Sequence, residues 1–322
     1  MSMTAPAEPE LQASAAEALG RETRPPGVGE PSGGGWFVRI TVLAVVLLWL
    51  VPTLGVLITS FRPEAAIENT GWWSVLAHPF RVAEWTIGNY RDALSTGGFG
   101  NAFLNSLAVT IPATVIPITI AAFAAYAFSW MDFRGRYVMF VAVVGLMVVP
   151  LQMALIPILH LYTHGAALFG RQIFPDLDLG GTFLGVWLAH TGFGLPLAVY
   201  LLRNYIGALP SSIIESAKID GADHFTIFWR LIVPLSVPAL AAFAIFQFLW
   251  VWNDLLVAYV FLGGTRELRT LTIALQQLVG SRGENWQVLT AAAFISMSLP
   301  LVVFFSLQKY FVRGLTAGSV KG

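Results

Sequence analysis

Apolar residues run along this chain in long unbroken stretches separated by short polar punctuation, without the alternation of strands or the one-sided stripe of a soluble helix. About 20 helical residues cross a hydrocarbon core. Six stretches reach that length and predict helical spans at roughly 37–60, 102–129, 138–162, 182–203, 232–262 and 287–312. The predicted fold is therefore an all-α membrane protein with six transmembrane helices. Residues 1–36 break the pattern. They are rich in Ala, Glu, Pro and Gly and end in a glycine run, Gly33-Gly34-Gly35, with too little apolar area to offset chain entropy. A disordered tail is expected there. No charged segment leads directly into a short apolar core and cleavage site, so the first span reads as an uncleaved anchor.

Prolines punctuate the spans: Pro112 and Pro117, Pro150 and Pro157, Pro196, Pro238, and Pro300. Each removes a backbone donor and kinks its helix, and the freed carbonyls need partners on neighbouring helices or in water. Bent helices suit a cavity that opens to alternate sides, although membrane helices tolerate proline in any case.

Composition sharpens this picture. The chain is 56% hydrophobic and 11% charged, with 18 basic and 18 acidic residues. With zero net charge there is no global basic field to suggest nucleic acid. Cysteine is absent, which excludes disulfides, thiol catalysis and Cys-ligated metals. No cofactor is implied. Five histidines are scattered without metal-ligand spacing, and no GxxxxGK[ST] loop is present, so the chain carries no nucleotide-hydrolysing motif of its own. The short loops hold Arg134, Arg136, Arg203, Lys218 and Arg230, and the C-terminus Lys309, Arg313 and Lys321. Placing these in the cytoplasm predicts that both termini are inside.

The most specific signal lies between the fourth and fifth spans. Residues 215–234 read Glu215-Ser216-Ala217, then Asp220-Gly221-Ala222, then Leu231-Ile232-Val233-Pro234. Ser211 or Ser212 is placed to cap a first helix, with Glu215 about one turn in. Gly221 supplies a positive φ where that helix stops, and Asp223 is placed to cap a second helix bearing Phe225, Phe228 and Trp229. The loop is too poor in Lys and Arg for a strong headgroup binder. A knob that docks into another protein fits better.

This pattern resembles the EAA loop of the membrane subunits of bacterial ABC importers. Ser216 stands for the first Ala, Leu231 for an Ile and Val233 for a Leu, whereas Glu215, Ala217, Gly221 and Pro234 match directly. The C-terminal run from Gln308 to Gly322 is similar to the ending of the maltose-type sugar permease subunits. Thr86–Tyr90, Phe103–Ser106, Phe133–Arg136, Gly194-Leu195-Pro196 and Trp252-Asn253-Asp254 fit as well. The resemblance implies the type I ABC importer permease fold over residues 37–322, with a coupling loop at about 205–234 and a C-terminal tail at 313–322. It implies one permease subunit of a binding-protein-dependent sugar importer in a bacterial inner membrane. Its implied partners are a second permease subunit, a cytoplasmic ATPase dimer, an extracytoplasmic sugar-binding protein and membrane lipid.

In that frame Glu215, Ser216, Ala217, Asp220, Gly221, Ala222 and Pro234 couple to the ATPase. Gly314, Leu315, Thr316, Ala317 and Gly318 reach its dimer interface, and Asn253 and Asp254 line the pathway or serve packing. The alternative, an ion-coupled secondary transporter, needs paired intramembrane carboxylates. Asp254 is the one candidate the sequence offers.

Overall fold

A computed structural model describes residues 35–95, 98–279 and 285–317, with side chains given to Ser306 and at Gln308. The expected tail at 1–36 lies outside the described residues apart from its last two positions. The chain divides into a unit of residues 1–55 and a unit of residues 56–322. Within the first, the described residues belong to an apolar helix, α1, that spans Gly35–Ser60 and has Pro52 inside it.

The second unit begins with the end of α1 and a compact loop. A short helix α2 (Glu64–Asn69), two 3₁₀ turns and α3 (Gly88–Ser95) follow. The buried Arg62 organises this loop. Its guanidinium donates to the Ala66 and Thr70 carbonyls and lies 3.6 Å from the Glu84 carboxylate. Asn89 donates to the carbonyls of Ser60 and Arg62, and Tyr90 hydrogen-bonds Ser60.

The bundle proper is built on α4 (Phe99–Trp130), α7 (Phe183–Gly207), α10 (Val233–Trp252) and α13 (Trp286–Ala317). With α1, these make, among the described residues, five helices long and apolar enough to cross a membrane. The expected span at 138–162 is not one straight helix. It divides into α5 (Arg136–Gly145), a 3₁₀ turn at Leu146–Val148, and α6 (Leu151–His164), with a bend of 107°. Pro150 sits at the break with extended backbone, and a proline at that point cannot continue the preceding helix. Counting that broken pair as one span gives six.

Three further expectations change. The predicted fifth span at 232–262 stops at Trp252 and resumes as α11 (Leu256–Leu262). The last helix continues beyond 312 to Ala317. The chain also contains a small antiparallel hairpin, β1 (Ala166–Leu168) and β2 (Arg171–Phe174), that nothing in the hydropathy announces. A further helix, α12 (Leu271–Val279), packs between α4 and α13.

Three of the proline-freed carbonyls find partners of one kind. A helix N–H ordinarily bonds the carbonyl four residues back, so Pro112, Pro117 and Pro300 deprive Ala108, Ala113 and Ser296. Trp187 of α7 donates its indole N–H to the Ala108 carbonyl at 2.9 Å. Gln247 of α10 donates to the Ala113 carbonyl at 3.1 Å, and Trp252 of α10 to the Ser296 carbonyl at 2.9 Å. Each bond joins two helices where one helix has lost its own. Gly194 makes room for Gln247, since a Cβ there would lie 2.7 Å from its amide nitrogen.

Candidate functional site

The loop singled out in the sequence folds as two short helices against one end of the bundle. Helix α8 covers Ser211–Ile219 and α9 covers His224–Ile227. The N-cap position of α8 is Pro210, with no side-chain cap, and Ser211 and Ser212 lie inside the first turn. This corrects the expected serine cap. Proline holds the extended entry that the cap residue needs, so the serines are drawn into the helix. Glu215 consequently falls one or two residues further into the helix than expected, and it is exposed.

The stop of α8 is a Schellman motif. The N–H of Gly221 donates to the Lys218 carbonyl at 3.0 Å and that of Ala222 to the Ala217 carbonyl at 2.9 Å. Gly221 has φ +82°, and a Cβ there would meet nothing within 4 Å. The demand for glycine is thus set by backbone conformation alone. Ala217 and Ala222, which this motif brings together, both pack on the underlying cluster.

Asp223 caps α9, accepting from the Thr226 N–H at 2.8 Å. That contact with Thr226 holds the carboxyl below its ordinary value. Helix α9 then runs through a π-helical turn at Phe228–Ile232 into α10. The expected second helix is therefore the start of the next span. Pro234 sits in the first positions of α10 without ending anything. The widened turn comes where proline has no N–H to offer the Arg230 carbonyl.

Burial divides the loop into two faces. Ile214, Ile227, Phe228 and Ile232 are buried with Tyr126, Leu202 and Ile206. Phe123 stacks on Phe228 with ring centroids 4.4 Å apart, and the Tyr126 hydroxyl lies 2.8 Å from Nδ1 of His224. Trp130 donates to the Ile206 carbonyl at the end of α7. Facing away are Ile219 (86% exposed), Phe225 (67%) and Trp229 (47%), beside Glu215 and Asp220. The result is a knob mounted on the bundle whose outer surface sets exposed apolar side chains among polar and charged ones.

Asn253 and Asp254 occupy the break between α10 and α11. Asn253 donates back to the Leu249 carbonyl at 2.7 Å. Asp254 accepts from the N–H groups of Val257 and Ala258, and its Oδ2 lies 3.7 Å from Nε2 of the fully buried His190. Gly314, Leu315, Thr316 and Ala317 continue α13, while Gly318 and the residues after it lie outside the described residues. Among the described residues no group of three or more His, Asp or Glu side chains is placed to hold a metal.

Residues 117–317 match the family of binding-protein-dependent transport system inner membrane components. The chain belongs to this family. It is similar to the osmoprotective compounds uptake permease protein GgtD of Synechocystis, with 58% identity over 284 residues covering 88% of this chain and 91% of that one. To the alpha-glucoside transport system permease protein AglG of Rhizobium meliloti it is 44% identical, covering 89% and 97%. A solved bacterial ABC transporter that imports the acidic polysaccharide alginate contains a chain of the same fold. The TM-score is 0.69 at 21% identity, over 88% of this chain and 100% of that one. The knob, the broken third span and the α4–α7–α10 core thus belong to a permease of the ABC importer fold.

Sequence reasoning missed what mounts the knob. Nothing in the spacing singled out Tyr126, Phe123 or Trp130 on α4, 90 or so residues upstream. Their aromatic character at the last turns of a span was the available signal.

Proposed function

We propose that this chain is the membrane-spanning permease subunit of an ATP-driven, binding-protein-dependent importer of carbohydrates or similar polyols. It forms half of a translocation pathway with a second permease subunit. The ATPase, a separate cytoplasmic dimer, receives the loop of about 205–234, and ATP-driven closure of that dimer is transmitted through α8 and α9 to α4, α7 and α10. The residues 313–322 contact the same dimer. Both termini are cytoplasmic, in a bacterial inner membrane.

The observation that carries this reading is the division of the loop into two faces. A segment built to lie on lipid has no need of a Schellman stop, a capped second helix and an aromatic mount on α4. A segment that transmits force needs all three, and it needs an outer surface such as Ile219, Phe225 and Trp229 for the partner to grip. The relatives supply the substrate class, since their names refer to osmoprotective compounds, alpha-glucosides, trehalose and arabinooligosaccharides.

Reconstitution tests the proposal. Proteoliposomes holding this chain, its partner permease and the ATPase are expected to take up labelled sugar only when ATP is inside and sugar-loaded binding protein is outside. Uptake driven by a proton or sodium gradient without ATP would overturn it.

A further inference from the structure

The hairpin between α6 and α7 stands apart from the docking loop. Helix α7 separates them, and its 25 residues extend about 37 Å at 1.5 Å per residue. The hairpin therefore emerges at the opposite end of the bundle. Leu168 pairs with Arg171, leaving Phe169 and Gly170 as a two-residue turn. Both have positive φ, +50° and +77°. Tight hairpin turns of this hand favour Asn or Asp before Gly, because a short polar side chain tolerates the left-handed region. Phenylalanine does not, and a bulky residue there is a conformational outlier.

Phe169 also gains nothing from its surroundings, for it is 97% exposed, and Leu168 and Ile173 beside it are 55% and 65% exposed. Asparagine in its place improves both the backbone fit and the solvation. A residue disfavoured on two independent grounds, at the tip of a projection, points to a use outside the fold.

The base of the hairpin is held firmly. The N–H groups of Leu177 and Leu179 donate to the Tyr162 carbonyl, and that of Gly181 to the Phe261 carbonyl at 2.7 Å. Gly165 is boxed in, since a Cβ there would lie 2.4 Å from the Phe174 carbonyl oxygen. The charges nearby are Arg171, Asp176 and Asp178, all exposed. One arginine against two carboxylates is the wrong balance for an anionic membrane surface, which rewards clustered Lys and Arg.

We propose that Phe169, flanked by Leu168 and Ile173, is an anchor on which the sugar-loaded binding protein docks at the face of the permease away from the ATPase. This rests on reading the chain as a binding-protein-dependent importer subunit. A single rigid aromatic at the centre of a contact is the kind of residue that dominates such interfaces.

Phe169→Asn in the reconstituted importer separates the possibilities. Purified sugar-loaded binding protein of the same transport system is titrated while ATP hydrolysis is followed. The variant is expected to need at least tenfold more binding protein for half-maximal stimulation, with basal hydrolysis and maximal rate unchanged and a thermal unfolding temperature no lower than wild type. A titration identical to wild type overturns the inference and leaves the importer reading standing. A wild-type complex that binding protein does not stimulate at any concentration removes the importer reading, and the inference with it.

Lipid contact is checked on a nitroxide at Phe169→Cys, the sole thiol of a chain that has no cysteine. A label that binding protein immobilises supports the docking site. One that favours oxygen over a polar nickel chelate before the protein is added places the tip in the bilayer and overturns it.

Discussion

Trp187 and Pro112 are expected to behave as a thermodynamic pair. Trp187→Phe keeps an aromatic ring between α4 and α7 but deletes the N–H that donates to the Ala108 carbonyl at 2.9 Å. That carbonyl has no helix donor because residue 112 is proline. Leaving a buried carbonyl unpaired costs about 1–3 kcal/mol in soluble proteins, whereas interhelical bonds in membranes average about 0.6 and reach about 1.7 kcal/mol. A loss of about 1 kcal/mol is therefore expected for Trp187→Phe. In a Pro112→Ala background residue 112 regains its N–H and serves the same carbonyl, so the loss should be smaller there by about 0.5–1 kcal/mol. The reduced ring volume is common to both backgrounds and cancels in the cycle. Far-UV circular dichroism during SDS titration in mixed micelles reads the four stabilities. Equal losses in the two backgrounds would refute the idea that Trp187 substitutes for the missing backbone donor.

Three further outcomes follow from the same geometry. Gly194→Ala drives a methyl to 2.7 Å from the Gln247 amide and should destabilise by about 1–3 kcal/mol in the same titration, the range for overpacking; an unchanged transition would contradict the notch. Asp223→Ala should loosen α9, seen as faster proteolysis at Phe225, while Asp223→Asn keeps the cap. Because its carboxyl is held below the ordinary value in the fold, the wild-type cap is fully present above the ordinary carboxylate pKa and is lost as pH falls through the lowered one. The Asn variant should show no such acid sensitivity. Asp254→Asn should retain the start of α11 through one acceptor, whereas Asp254→Leu frees the N–H groups of Val257 and Ala258; hydrogen exchange at those two amides distinguishes the pair.

Much of the fold was legible because a hydrocarbon solvent leaves few choices. A backbone in lipid must satisfy itself, so four of the expected spans, the first, second, fourth and sixth, exist as helices close to their expected limits. The third was misjudged because hydropathy counts apolar residues and is blind to direction: Pro150 lies in an apolar run on both sides of a 107° bend. The fifth was drawn too long for the same reason, since Leu255–Leu262 is as apolar as what precedes it while Asp254 starts a new helix.

Local conformation was readable at Gly221 and Asp223, where one residue type serves one backbone need. Ser211 and Ser212 misled because Pro210 fixes the entry without them. The quoted family-like segments prove to hold tertiary bonds that no spacing rule expresses. Asn105 donates to the Glu267 and Arg269 carbonyls, Ser106 accepts from the Leu271 N–H, and Asn89 joins α3 to the end of α1. Partners 165 residues apart are invisible to periodicity. The mount of the knob on Tyr126 and Phe123 is hidden for the same reason.

The coupling account itself turns on Gly221, whose left-handed φ is the condition for the stop of α8. Gly221→Val puts a β-branched residue where L side chains pay at least about 1–2 kcal/mol, with no neighbour to clash against. Gly221→Asn is the substitution that position tolerates. The decisive measurement is sugar uptake and co-purifying ATPase in proteoliposomes for these two variants against wild type. The account predicts near-normal transport and ATPase retention for Asn, and loss of both for Val while the two permease subunits still fold and pair. Normal uptake by the Val variant would contradict it.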